Sequence, residues 1–136
     1  MKIISSLFIL FFVSPAVFGA PLGENASKSA KLHFLQAMLL ERRGADREAL
    51  VEYEKAFYFD PSSAYLCAEA CELALEAGNP EAALPWAARL ERLEPNSSRT
   101  LILRGRTQWA LGQLAQAQAA FEAAIVLDPK SAESIF

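Results

Sequence analysis

Three side chains in this sequence are the natural candidates for chemistry: Cys67, Cys71 and the single histidine, His33. Cys67 and Cys71 are four apart, which on a helix puts both thiols on one face. A redox or metal pair would use such a placement. The spacing is not the two-residue gap of a redox or haem motif. No second Cys/His pair lies nearby to complete a tetrahedral zinc site, and a disulfide between residues i and i+4 of one helix is geometrically poor. Buried structural thiols are the expected reading. A redox module is the alternative, and counting free thiols separates the two. His33 has no Ser, Cys or Asp constellation around it. The acidic residues sit beside Lys or Arg, as in "EYEK" and "ERLE", and read as solvated helix faces. The sequence has neither a glycine-rich phosphate loop nor a nucleophile elbow. A non-enzyme without cofactor or metal is expected. "NAS" at Asn25 and "NSS" at Asn96 fit the glycosylation pattern, which matters only in a eukaryotic secretory route.

The elements that carry these residues are punctuated regularly. Pro61, Pro95 and Pro129 are 34 apart, as are Gly44, Gly78 and Gly112, and Ala49, Ala83 and Ala117. Three residue types on one period define a repeat. The copies run 30–63, 64–97 and 98–131, each reading helix, Gly turn, helix, Pro turn. Ala, Leu and Glu dominate, and Val, Thr and Ile are few, which favours helix over sheet. In copy one the first helix has apolar residues at 32, 35, 39 and 40, a helical stripe. Gly44 suits the left-handed residue that ends a helix. Asp46 is the expected N-cap of the second helix, and Asp60-Pro61 its stop. Pro85 falls inside the second helix of copy two, removes one helical hydrogen bond there and is expected to kink it.

The second-helix pattern of Ala, aromatic, Ala and Pro at Ala49, Tyr53, Ala56 and Pro61, and again at Ala117, Phe121, Ala124 and Pro129, resembles the tetratricopeptide repeat (TPR) family. Copy two is looser, with Ala83, Ala87, Leu90 and Pro95. Ala37, Cys71 and Gly105 fill the small position of the first helix, while His33, Cys67 and Leu101 replace the family's early Trp. The resemblance implies an all-α, right-handed solenoid of about three helix-turn-helix repeats, each burying its apolar face only by stacking on its neighbours. It also implies a concave groove lined by the first helices. Carried over, the groove positions include Phe34, Met38, Tyr65, Glu72, Arg99, Ile102, Arg106 and Trp109. Lys31, Glu41, Ala68 and Leu75 fall on the same face. A protein or peptide partner is expected there. The carboxylate clamp of chaperone-binding TPRs is not expected, because Phe34, Met38 and Glu69 stand where its Lys and two Asn would be, and Leu103 replaces its last basic residue.

The first residues, "MKIISSLFILFFVSPAVFGA", have a basic start, an apolar run and small residues after a break, the pattern of a secretory signal peptide. Cleavage is expected after Gly19 or Ala20, followed by a linker over 20–29 and export, to the periplasm in a bacterium. The apolar run is short for a span of about 20 residues. The net charge of −3 gives no basic surface for nucleic acid. At the other end, 132–136 reads as the truncated start of a further helix. That leaves two expectations: the front part of a longer exported protein, or an open edge that meets a partner or a second copy.

Overall fold

The computed structural model describes residues 23–132. Six helices form three antiparallel pairs: α1 (Glu24–Glu41) with α2 (Asp46–Phe59), α3 (Ala64–Glu76) with α4 (Pro80–Leu93), and α5 (Ser98–Ala110) with α6 (Leu114–Leu127). A short helix, α7 (Pro129–Ala132), follows. The described residues contain no strand. The expected signal peptide and residues 133–136 of the expected last helix lie outside the described residues.

Within each pair the turn is closed in one way. Gly44, Gly78 and Gly112 adopt φ of 73°, 69° and 75°, the left-handed region that glycine enters without strain. The next residue's N–H then returns to a carbonyl of the helix's last turn: Ala45 to Leu40 at 3.0 Å, Asn79 to Ala74 at 2.9 Å, and Gln113 to Gln108 at 2.8 Å. At the other joint, α2 and α4 stop before Asp60-Pro61 and Glu94-Pro95, because the residue before proline is driven out of the helical region. Ser63 and Asn79 cap α3 and α4 by accepting from Leu66 N (3.2 Å) and Ala82 N (3.1 Å). Asp46 does not cap α2. Ala45 holds that position, and the Asp46 carboxylate sits in the first turn, where it opposes the helix dipole. α4 continues through Pro85, which is exposed.

Small residues set the distance within each pair. Ala37 and Ala49, and Cys71 and Ala83, are fully buried. In the third pair a Cβ on Gly105 would stand 2.6 Å from Phe121 Cε1, so only glycine lets this ring lie against α5. Tyr53, Leu66, Trp86, Leu90 and Leu103 fill the core between pairs.

One expectation is corrected. The stretch 20–29 is not a linker throughout. It is helical from Glu24, where the acidic residue favours the helix start, Lys28 pairs with Glu24 at 2.7 Å, and Ala26 is buried. The apolar stripe of α1 is not its core face. Leu32, Leu35 and Leu39 stay more than half exposed, Leu40 is half-buried, and the helix instead buries Ala26, Ala30 and Ala37. Leu35 lines a recess between α1 and α3.

Candidate functional site

α1, α3 and α5 share one side of the molecule, and Phe34, Tyr65 and Arg99 form a continuous line across it. The Phe34 ring lies 5.8 Å from the Tyr65 ring, and the Arg99 guanidinium lies 5.7 Å from the Tyr65 centroid. Such a cation over an aromatic face is attracted by the ring's quadrupole. Arg99 also donates to Glu69 at 2.7 Å and Glu72 at 3.0 Å, so one cation ties α5 to two carboxylates of α3. Below Phe34, its neighbour Tyr53 is fully buried and donates through its hydroxyl to Glu41 at 3.3 Å. Burial and the adjacent Glu41 charge push the Tyr53 hydroxyl well above its ordinary pKa.

Beside this line a recess of about 370 Å³ opens between α1 and α3. Ala30, Phe34, Leu35, Tyr65 and Leu66 supply apolar walls, with Lys31, Asp60 and Ser63 at the polar positions. The recess exists because α1 and α3 stand further apart than α3 and α5, which pack along each other.

Four of the expected groove residues therefore meet: Phe34, Tyr65, Glu72 and Arg99. Met38, Ile102 and Arg106 are half-buried on the same helices. Trp109, at the end of α5, is 62% exposed. Ala68 of α3 is not a surface position, since it is only 1% exposed.

The other candidate chemistry resolves into packing. Both thiols are buried and unbonded to each other. Burial pushes the Cys67 thiol up to about 11, and that of Cys71 upward too, against a contact with the Thr107 hydroxyl at 3.8 Å. Such thiols stay protonated near neutrality and are poor nucleophiles. His33 stacks on Phe59 with centroids 5.6 Å apart, and its Nδ1 lies 2.6 Å from Glu52. Lys55, and then His33, hold the Glu52 carboxyl below the usual range against the opposing effect of burial. Among the described residues no group of three His, Cys, Asp or Glu side chains could hold a metal ion, and no helix is long and apolar enough to cross a membrane.

Reading the acidic residues as simple solvated faces missed the ion pairs that span repeats. Arg89 donates to Glu54 at 2.8 Å while lying over the Phe57 and Trp86 rings, and Arg104 donates to Glu91. Glu54 and Arg89 are 35 residues apart, about one repeat, which is the signal that could have paired them.

Residues 98–131 match the family model of the tetratricopeptide repeat. Between 74% and 81% of the chain superposes on solved structures that include TPR domains. The first TPR of Spaghetti (RPAP3), bound to HSP90 peptide SRMEEVD, matches with a TM-score of 0.68 at 19% identity, over 80% of this chain and 91% of that one. The Arabidopsis OM64 TPR domain gives 0.70 at 17% identity, over 81% and 93%. MamA from Desulfovibrio magneticus RS-1 gives 0.66 at 20% identity, over 74% of this chain and 56% of that one. The fold is a TPR helical solenoid. No curated protein matches the chain in sequence. In TPR terms α1, α3 and α5 are the first helices of their repeats, and the Phe34–Tyr65–Arg99 line runs along the concave face.

Proposed function

We propose that this chain is a non-catalytic interaction module that takes a peptide or protein segment along its concave face. The observation that carries this reading is the Phe34–Tyr65–Arg99 line beside an apolar recess. Rigid aromatics next to a concave apolar surface are where binding energy concentrates at interfaces. The RPAP3 domain of the same fold holds a peptide, which supports a peptide-sized occupant. The chemistry of that occupant differs here. Arg99 already holds Glu69 and Glu72, so the groove favours a segment that offers an apolar side chain to the recess over one led by a carboxylate.

The leader supports export, and in a bacterium the module would work in the periplasm as an adaptor of an envelope assembly. The intact mass of the natural product tests export: a chain about 2 kDa lighter than the encoded 14.9 kDa is expected, and an uncut amino terminus overturns it. A photo-crosslinking residue tests the groove. Placed at Met38 on the inner face, it is expected to trap a partner. Placed at Val51, which is exposed on α2, it is expected to trap none. Equal trapping at both positions overturns the groove.

A further inference from the structure

The 34-residue register shows what the exposed stripe of α1 is shaped to meet. Leu32 and Leu39 correspond to Leu66 and Leu73 in the second repeat and to Thr100 and Thr107 in the third. In the first repeat these positions are each 55% exposed. Leu66 and Leu73 are 3% and 4% exposed, and Thr100 and Thr107 are each at 1%. In later repeats this face turns to the preceding one, as the Thr107 hydroxyl does 3.8 Å from Cys71. The flank of α1 is therefore a docking face whose counterpart is the trailing side of a like repeat. The chain's own preceding residues do not carry that counterpart in sequence. One period upstream of the second-helix pattern, Pro15 stands at the alanine position and Gly19 at the aromatic position.

A trailing side of that kind is formed by α5 and α6, with α7 following against α6. Position 57 meets the following repeat through Phe57 against Trp86, with rings 5.9 Å apart, and its mate Glu91 does so through Arg104. The third mate, Ile125, is 39% exposed. The charges fit in the same register. The Glu54–Arg89 pair that joins the first two repeats maps onto Glu122 of one copy and Lys55 of the next, and Lys55 is half exposed beyond its pair with Glu52. One opposed pair, Arg106 against Lys31, weakens the match.

We infer that the chain associates head to tail with a second copy of itself, the α1 flank of one molecule continuing the solenoid from the α5–α6 edge of another. Such an interface is heterologous and propagates rather than closing into a dimer. It stands independently of the peptide groove.

Sedimentation equilibrium on the full chain tests it. The wild type is expected to show an average mass that rises with concentration. Leu39→Glu and Ile125→Glu change exposed side chains on opposite faces, and each alone is expected to remain monomeric. Mixed together they are expected to form a one-to-one dimer that grows no further, because each retains the face the other has lost. A monomeric wild type overturns the inference. So does association that survives in either single variant, or a mixture that stays monomeric while circular dichroism shows both variants folded.

Discussion

The two junctions between repeats are built from the same positions and do opposite things. Between α3 and α5 the helices pack along each other. Cys71 meets Thr107 at 3.8 Å, and Arg99 bridges to Glu69 and Glu72. Between α1 and α3, Phe34 and Tyr65 face each other instead and leave a recess of about 370 Å³. Position 65 is Tyr where its mate at 99 is Arg, and position 38 is Met where its mate at 72 is Glu. An arginine with two carboxylates to grip draws helices together and satisfies itself. At the first junction Phe34 and an exposed Tyr65 instead present apolar surface beside the recess. A solenoid thus places a close joint and an open recess one period apart by exchanging a few side chains, without changing its fold.

The largest expected effect breaks the rigid junction from behind. Ala117 is fully buried at the close approach of α5 and α6, so Ala117→Asp places an unpaired charge there and costs about 3–5 kcal/mol. Because each repeat contacts only its neighbours, we expect loss of the third pair with the α1–α3 junction kept. Far-UV circular dichroism would show partial helix loss, and hydrogen exchange would show protection retained in α1 to α3.

Gly105→Ala is a gentler break. Its Cβ would meet the Phe121 ring at 2.6 Å, and the overpacking costs about 1–3 kcal/mol, read as a shift in the urea midpoint. The same substitution at Gly44 meets no atom but must hold a φ of 73°, so it is also destabilising, through strain at the turn.

Alkaline pH loosens the junction through its thiols. The folded state raises Cys67 from an ordinary 9 to about 11, and raises Cys71 as well. The unfolded chain therefore loses its protons first as pH rises. This contribution is fully present below pH 9 and is lost as pH climbs through 11. A melting series across that range should fall, and Cys67→Ala should flatten part of the fall. Below pH 8, a thiol reagent is expected to label neither cysteine until the chain unfolds.

The smallest effect is at the surface. Arg99 is partly exposed, so Arg99→Ala should cost only about 0–1 kcal/mol of stability. Its value is as a sharpening test, because it removes the grip at the second junction and leaves the recess at the first intact.

Much of this was legible in the residues. Pro61, Pro95 and Pro129, with Gly44, Gly78 and Gly112, announce the pairs because proline and glycine act on the backbone locally, without reference to distant contacts. Tyr53 and Ala117 read as core because the pattern repeats. The stripe at Leu32, Leu35 and Leu39 read correctly as helical, but periodicity shows that a face is apolar and not what covers it. Asp46 misled as a cap because Ala45 turns the chain one residue earlier. The residues named for the groove lie on α1, α3 and α5, but the recess could not be read, since it depends on how α1 and α3 stand to each other in space.

The most direct test uses two tyrosines of equal exposure, 57% each: Tyr65 beside the recess and Tyr58 on α2. Peptides selected from a displayed random library on the full chain would be titrated against wild type, Tyr65→Ala and Tyr58→Ala. The account predicts that Tyr65→Ala weakens binding by about tenfold or more while Tyr58→Ala leaves it unchanged. Equal losses, or a loss confined to Tyr58→Ala, would contradict a partner site on the concave face.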